Sequence, residues 1–208
     1  MSTGIFITLE GGDGVGKTTQ AELLSSWLEQ RGFEVVRTRE PGGTDLGASI
    51  RGLLLHGGHV TQRAEALLYA ADRAQHIDQV VRPALERGAA VVQDRFIDSS
   101  LAYQGAGRAL ALDEVRGINE WATERLWPEL TVLLDLDPTV AAKRRAEAGM
   151  TDDRLEREAI EFHERVREEF RALAAAEPGR FLVLDAAARV EDLHEAIIAR
   201  VAPLVTEL

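Results

Sequence analysis

Residues 5–19 read IFITLEGGDGVGKTT, an apolar run followed at positions 11–18 by the pattern G-x-x-x-x-G-K-[ST]. The apolar run predicts a buried strand, and helical periodicity begins after the pattern. In that setting the backbone N–H groups of a glycine-rich loop converge on a phosphate, and the helix amino terminus adds positive potential. Lys17 is placed to reach the terminal phosphates, and the Thr18 hydroxyl is placed to ligate Mg²⁺. The stretch therefore predicts a nucleoside triphosphate site with Mg²⁺, and a glycine-rich turn with an incidental lysine is the alternative.

The composition excludes several classes of protein. The 208 residues carry 24 Lys and Arg against 35 Asp and Glu, a formal charge of −11, and they include no cysteine. An acidic chain is a poor binder of nucleic acid backbones or anionic membranes, and without cysteine there are no disulfides, thiolate catalysts or cysteine-held metals. No apolar run approaches the roughly 18 residues that a membrane span needs, and no leader pattern is seen at the amino end. We expect a single domain over residues 1–208, no nucleic acid or membrane partner, and a cytoplasmic location.

Short apolar runs alternate with long amphipathic stretches along the chain, which is typical of βα units around a parallel sheet. The runs predict strands at residues 4–9, 33–38, 89–93, 130–136 and 181–184. The stretches between them predict helices at residues 18–31, 46–55, 62–87, 112–126, 138–148, 155–176 and 191–204. Pro83 is expected to kink or end the third helix, and Asp137-Pro138 is a natural helix start. The predicted fold class is α/β, a three-layer fold of the P-loop NTPase type with a five-stranded, mostly parallel sheet. A charged, mobile flap is expected at about residues 143–158.

Asp94 and Arg95 follow directly on the third predicted strand. A carboxylate at the carboxyl end of a parallel strand points into the ligand crevice, where it can hold Mg²⁺, and the neighbouring guanidinium can hold a second phosphate. A plain ion pair at the strand end is the alternative. The five histidines show no metal-ligand spacing, and we expect surface or capping roles for them.

Five blocks of sequence resemble the bacterial thymidylate kinase family in kind, order and spacing. They are EGGDGVGKTT at residues 10–19, REPGGT at 39–44, ADRAQH at 71–76, DRFIDSSLAYQG at 94–105 and DRLE at 153–156. The second and fourth blocks are far more specific than the phosphate loop, which many unrelated NTPases share. The resemblance implies the transfer of a phosphoryl group from ATP to dTMP with Mg²⁺, and a homodimer.

The resemblance also implies roles for particular residues. The ATP-binding set would be Gly11, Gly12, Asp13, Gly14, Val15, Gly16, Lys17, Thr18, Thr19 and Arg144, and Mg²⁺ would be held by Thr18 and Asp94. The dTMP-binding set would be Asp13, Glu40, Pro41, Arg51, Tyr69, Arg73, Arg95, Ser99, Ser100 and Tyr103. Within that set Arg95 would hold the 5′-phosphate, Tyr69 would stack on thymine and Arg73 would donate to a thymine carbonyl. Asp13 would bind the 3′-hydroxyl, and Tyr103 would crowd the ribose 2′ position. An exposed loop aspartate is the alternative for Asp13, and a core tyrosine beside a surface arginine is the alternative for Tyr69 and Arg73. The Glu40-Pro41 bond is expected to be cis.

The phosphate loop carries no arginine between Gly12 and Val15, although phosphoryl transfer needs positive charge on the transferring group. The flap supplies Arg144, Arg145 and Arg154. We hypothesise that Arg154 reaches the phosphates on closure, so that the expected catalytic residues are Lys17, Asp94, Arg95 and Arg154. A solvated charged helix is the alternative for this segment.

Three other functions stay open at this point. The chain could be another P-loop nucleotide or deoxynucleoside kinase, a nucleotide-dependent switch or partitioning ATPase, or an inactive P-loop protein. A nucleotide-dependent switch or partitioning ATPase has no acceptor, so it would not explain the presence of Tyr69, Arg73 and Arg95. The inactive protein would predict damage at Lys17 or Thr18, and both are intact.

Overall fold

The computed structural model describes residues 4–149, 151 and 153–206. The ends of the expected single domain at residues 1–3 and 207–208, and positions 150 and 152 of the flap, lie outside the described residues. Within the described chain no helix is long and apolar enough to cross a membrane.

Five parallel strands form one sheet in the described part of the chain, in the order β2-β3-β1-β4-β5. They are β1 (Ile5–Glu10), β2 (Val35–Arg39), β3 (Ala90–Asp94), β4 (Leu130–Asp135) and β5 (Phe181–Asp185). All five were predicted, each within two residues of its observed bounds. Central β1 aligns Leu9 with Asp94 of β3 on one side and with Val132 of β4 on the other. The carboxyl ends of β1 and β3 therefore meet at one edge of the sheet, where α/β proteins of this topology bind ligands.

Helices cover both faces of the sheet and make the three predicted layers. They are α1 (Lys17–Glu29), α2 (Asp45–His56), α3 (Gln62–His76), α4 (Arg82–Glu86), α5 (Ile97–Ser100), α6 (Leu112–Ala122), α7 (Pro138–Glu147), α8 (Ile160–Ala176) and α9 (Val190–Thr206). Leu24 of α1 and Ile197 of α9 pack on one face, against Ile7 of β1. Phe6 of the same strand points to the other face and packs in a core with Leu54 of α2 and Phe170 of α8. Residues of the three central strands, β3, β1 and β4, are buried on both faces, as expected of a sheet covered on both sides, whereas the edge strands β2 and β5 are partly exposed.

The third predicted helix is not continuous. Between α3 and α4 the chain makes a π-helical segment, Ile77–Val81, directly before Pro83. A proline lacks the N–H for the helical ladder and its ring clashes with the carbonyl four residues earlier, and a wider turn relieves both problems. Pro83 therefore does not end the helical run, and it lies in the first turn of α4, directly after the wider turn.

Three further parts of the helical prediction differ from the structure. Helix α6 ends at Ala122 rather than at residue 126. A short helix α5 and a π-helical segment, Leu101–Gly107, lie where no helix was predicted. Helix α8 begins at Ile160 rather than at residue 155, because the Asp153 carboxylate accepts hydrogen bonds from the N–H groups of Leu155 (2.8 Å) and Glu156 (3.0 Å) and holds a turn there. The predicted start of α7 is confirmed: Asp137 caps it through the Thr139 N–H at 2.9 Å, and Pro138 follows as its first residue.

Candidate active site

The loop between β1 and α1 has the backbone of a phosphate cradle. Gly11 and Gly14 have φ of 130° and 80°, and a Cβ on Gly11 would lie 2.4 Å from the Leu134 carbonyl oxygen. No described side chain caps the amino end of α1. The first N–H groups of that helix are therefore available to an anion. We call residues 11–18 the phosphate loop.

Lys17 closes this loop on itself. Its ammonium donates to the carbonyl oxygens of Gly12 (2.6 Å) and Gly11 (3.2 Å), and the residue is only 6% exposed. Burial, together with the charge of Arg95, lowers the pKa of Lys17 from its usual value. The ammonium thus lies over the loop at the place where phosphate oxygens would enter.

Thr18 and Asp94 approach each other at the edge of the loop. The Thr18 hydroxyl lies 3.5 Å from Asp94 Oδ2, and the buried Asp94 Oδ1 has no hydrogen-bond partner among the described residues. A buried carboxylate oxygen without a donor is ready to accept a cation. The described residues contain no cluster of three or more His, Asp or Glu side chains suited to a metal.

Arg95 stands on a strained turn after β3. Its φ of 68° lies in the left-handed region, which a side chain other than glycine rarely adopts. Buried Glu10, at the end of β1, holds this turn from below, because its carboxylate accepts from the Phe96 N–H (2.7 Å) and from the Ser99 hydroxyl (2.6 Å). Burial and the nearby Asp98 carboxylate raise the pKa of Glu10 to about 7. Sequence reasoning missed Glu10, although it lies directly before the phosphate loop.

The guanidinium of Arg95 joins the phosphate loop to the residues that follow β3. It donates to Asp13 Oδ1 (2.6 Å), to the Gly11 carbonyl (3.0 Å) and to the Ser99 hydroxyl (3.1 Å). The Tyr103 hydroxyl donates to the second oxygen of Asp13 at 3.3 Å. Burial alone would raise the pKa of Asp13, but the charges of Arg95 and Lys17 hold it well below its usual value. Asp13 is therefore part of a charged network, with 30% of its side chain exposed, and not the exposed loop aspartate of the alternative interpretation.

A cavity of about 70 Å³ opens beside this network. We call it the acceptor cavity. All ten residues predicted to bind the acceptor line it: Asp13, Glu40, Pro41, Arg51, Tyr69, Arg73, Arg95, Ser99, Ser100 and Tyr103. Leu55, Gln104, Asp153 and Leu155 complete the lining. The Glu40-Pro41 peptide bond at its wall is cis, as the resemblance implied.

Arg73 is buried in a network of its own behind this cavity. Its Nε donates to Glu40 (2.7 Å), its Nη1 to Ser100 (3.0 Å) and Asn119, and its Nη2 to the Phe96 carbonyl (3.0 Å). A guanidinium has five N–H donors, so one Nη2 hydrogen is left for the cavity after these four bonds. Arg73 is therefore not the surface arginine of the alternative interpretation.

His76 corrects the expectation that the histidines lie at the surface. It is fully buried, its Nδ1 lies 2.8 Å from Glu40, and its Nε2 lies 2.6 Å from the Thr38 hydroxyl. Glu40 is thus held from both sides, by His76 and by Arg73. Sequence reasoning had no signal for this contact, because the residues are 36 positions apart.

The flap arginines are spread over three different places. Arg144 donates to the Ala186 carbonyl at 2.8 Å, in the turn after β5. Arg145 is buried and donates to the backbone oxygen of Asp13 at 3.2 Å, within the phosphate loop. Arg154 donates to the Leu54 carbonyl at 2.8 Å and to Glu65, and it lines neither the phosphate loop nor the acceptor cavity. The structure therefore does not bring Arg154 to the loop, because its guanidinium is engaged elsewhere, and its catalytic role stays a prediction.

A phosphate loop with an intact lysine, next to a cavity that the Arg95 guanidinium lines, is the arrangement of a P-loop kinase that acts on a small phosphorylated acceptor. The protein-family model for thymidylate kinase matches residues 9–197 of the chain. The chain belongs to the thymidylate kinase family.

Individual relatives agree with this assignment. The chain is 60% identical over 204 residues to the thymidylate kinase of Clavibacter michiganensis subsp. michiganensis, covering 98% of this chain and 97% of that one. It is 62% identical over 198 residues to the thymidylate kinase of Leifsonia xyli subsp. xyli, covering 95% and 94%. The crystal structure of thymidylate kinase from Ehrlichia chaffeensis superposes with a TM-score of 0.78 at 32% identity, covering 96% of this chain and 99% of that one.

Proposed function

We propose that the acceptor cavity binds dTMP and that the phosphate loop presents ATP to it, with each site residue in the role given below. As a thymidylate kinase, the chain transfers a phosphoryl group from ATP to dTMP, giving ADP and dTDP. One observation carries the assignment of the sites: the cavity that all ten predicted residues line is joined to the phosphate loop through Arg95.

In this proposal the 5′-phosphate of dTMP binds to Arg95 and Arg51, with the base between Tyr69 and the free Nη2 hydrogen of Arg73. Arg95 already faces Asp13, and Asp13 accepts from the sugar 3′-hydroxyl when the nucleotide enters. The acceptor atom is a phosphate oxygen, so the reaction needs no strong base. Catalysis consists of positioning and of charge neutralisation.

The donor side uses the loop and the arginines at its rim. The N–H groups of the loop and of the amino end of α1 bind the phosphates, and Lys17 turns from the loop carbonyls to the β and γ oxygens. Arg145 contacts the loop backbone in this structure, so we propose that it, rather than Arg154, meets the charge on the transferring group. Arg144, bonded to the turn after β5, borders the adenine.

We propose that Mg²⁺ accompanies ATP and is held by Thr18 and Asp94. The hydroxyl and the unpartnered carboxylate oxygen described above are hard oxygen ligands of the kind that Mg²⁺ takes, with phosphate oxygens and waters as the others. The bound ion would neutralise charge on the β and γ phosphates.

Replacing Asp94 with asparagine tests this metal site. The amide keeps the shape of the side chain but removes its charge, so we expect the Mg²⁺ concentration for half-maximal rate to rise by roughly 10- to 100-fold. The measurement is a Mg²⁺ titration of initial rates at fixed ATP and dTMP. Asp78→Asn, at an exposed position of the first π-helical segment, is the control. An unchanged Mg²⁺ requirement in Asp94→Asn would remove this residue from the metal site.

A panel of acceptors tests the assignment of the cavity. We expect dTMP to be the fastest, and dUMP to be slower by roughly tenfold or more, since one methyl group is worth roughly 10- to 200-fold in a fitted pocket. Thymidine should not be used, because it offers no phosphate to Arg95. Ribothymidine monophosphate should be poor, because buried Tyr103 crowds the 2′ position. Measured kcat/KM values for these acceptors and for dCMP and AMP check this, and faster use of any acceptor other than dTMP would overturn it.

We also propose a homodimer formed through the helices on one side of the sheet. Leu53 of α2, Leu67 of α3 and Trp121 of α6 are large apolar residues that are 56%, 56% and 82% exposed, and α3 packs beside both α2 and α6. Exposed apolar residues on adjacent helices are typical of an interface. Sedimentation velocity would contradict the dimer by showing a 22.8 kDa species alone.

We also propose a cytoplasmic location and no polynucleotide partner. A chain without cysteine is compatible with the reducing cytoplasm, where we place it, and cell fractionation tests that location. The net charge of −11 disfavours binding to polynucleotides, and a mobility-shift assay at low salt tests this point.

A further inference from the structure

A buried carboxylate lies outside the machinery described above. Glu65 of α3 has a side chain only 1% exposed. It accepts from Gln104 Nε2 (3.0 Å), from Arg108 Nε (3.2 Å) and Nη2 (3.3 Å), and from Arg154 Nη2. Burial alone would raise the pKa of Glu65, but these hydrogen bonds hold it below its usual value. Burying a charged carboxylate is unfavourable, and its hydrogen-bond and ion-pair partners must compensate for the lost hydration.

The partners of Glu65 come from two separate parts of the chain. Gln104 lies in the second π-helical segment and Arg108 directly follows it, whereas Arg154 belongs to the lid segment, which we define here as residues 153–158. Arg108 also donates to Glu158 at 2.6 Å, and Arg154 also donates to the Leu54 carbonyl at 2.8 Å. Both ends of the lid segment are therefore attached to the body of the protein through Glu65 and its partner Arg108.

The lid segment forms part of the wall of the acceptor cavity. Asp153 and Leu155 line the cavity, and Leu155 is buried in the same apolar core as Leu55 and Tyr103. Glu65 lies on the face of α3 that carries Tyr69 one turn later. One helix thus presents both the predicted base-stacking ring and the carboxylate that binds Arg154 of the lid segment.

We infer that Glu65 is a positioning residue, which holds the lid segment over the acceptor cavity through Arg154 and Arg108. Arg154 then acts through Glu65 and not at the transferring phosphoryl group. This inference rests on the proposed function, because it assigns the lid segment to the dTMP site.

Replacing Glu65 with glutamine tests the inference. The amide keeps the volume but loses the charge-assisted bonds, so we expect KM for dTMP to rise roughly tenfold, with KM for ATP within about twofold of the wild type. Trypsin should also cut faster after exposed Arg157 in the variant, without any substrate present. A role in stability alone would lower the active fraction and the melting temperature but leave both KM values unchanged, and that result would overturn the inference.

A double-mutant cycle with Arg154→Met tests whether the two residues act together. We expect Arg154→Met to raise KM for dTMP to a similar extent, and the double variant to be no worse than either single variant. If the increases in KM of the two single variants multiply in the double variant, or if Arg154→Met alone lowers kcat, Arg154 acts at the phosphates and the inference is overturned. Arg154 lies at the rim, with 21% of its side chain exposed, so this variant gives an answer even if Glu65→Gln does not fold.

The control is Glu34→Gln, which breaks a surface ion pair with Arg87 and should change neither KM. The wild-type assay separates the two proposals. If the wild-type chain does not phosphorylate dTMP, the proposed function is wrong. If the wild type is active and Glu65→Gln leaves KM for dTMP unchanged, only this inference is wrong.

Discussion

Replacing Lys17 with methionine is expected to lower kcat for dTMP phosphorylation by about 10²- to 10³-fold, the usual effect of removing one positioned donor from a developing charge. The ammonium lies directly over the phosphate loop, bonded to the Gly11 and Gly12 carbonyls, and the phosphate loop itself has no other cation. Methionine fills the same buried volume and is a good helix former at the start of α1. The loss should therefore fall on the chemical step and leave folding intact, which steady-state kinetics and thermal unfolding together would show.

The chain offers a matched control for this variant. Lys143 of α7 is the only other lysine, and its side chain is 76% exposed in a surface pair with Glu147. Lys143→Met should keep kcat within about twofold, because exposed pairs contribute little. A well-folded Lys17→Met with kcat within about threefold of the wild type would contradict the assignment of the phosphate loop as the donor site.

The strands and the phosphate loop could be predicted because each has a local signal. Short β-branched runs mark the buried strands. The loop pattern lies between β1 and α1, where a phosphate loop must connect a strand to the amino end of a helix. The helix at residues 97–100 and the π-helical segment after it could not be predicted in this way. Nearly every residue there is buried, so the segment lacks the alternation of polar and apolar faces by which an amphipathic helix is recognised. Gly105 and Gly107 also disfavour a helical prediction.

Ten of the fourteen residues that line the acceptor cavity were predicted, but through the resemblance of whole blocks and not through spacing. What lies behind the cavity was missed. Glu10, His76 and Asn119 are buried polar residues whose partners are far away in sequence, and a sequence does not report which polar residues are buried. They matter because each fixes a site residue: Glu10 fixes the turn of Arg95, and His76 and Asn119 fix the Glu40–Arg73 pair.

The flap shows a second limit of sequence reasoning. Arg144 and Arg145 are neighbours in α7, yet successive residues on a helix point about 100° apart. One therefore reaches the turn after β5 and the other the phosphate loop. The absence of an arginine from the phosphate loop led to the prediction that Arg154 of the flap serves the phosphates, but only the position of the helix decides which flap arginine faces the loop.

Replacing Arg95 with methionine should lower kcat/KM for dTMP by about 10²- to 10³-fold, since truncating one partner of a buried charge pair costs about 2–5 kcal/mol. The guanidinium is the predicted partner of the 5′-phosphate and the compensating charge for Asp13. Its removal leaves the half-buried Asp13 carboxylate without its main partner, so the pKa of Asp13 rises and a phosphate dianion meets a negative charge that is less well compensated. Kinetics with varied dTMP at saturating ATP measure this loss, which should be much larger than any change in KM for ATP.

Arg95→Lys separates charge from geometry at this position. Lysine restores the positive charge but lacks the planar fork that contacts the Gly11 carbonyl, Ser99 and Asp13 together, so we expect it to recover only part of the loss. Arg87→Met removes an arginine that is 46% exposed from the surface pair with Glu34, and it should leave kcat/KM unchanged. If a folded Arg95→Met kept kcat/KM for dTMP within about fivefold of the wild type, the acceptor phosphate would have to bind elsewhere. The left-handed turn that Glu10 holds beneath Arg95 would then have no role in the reaction.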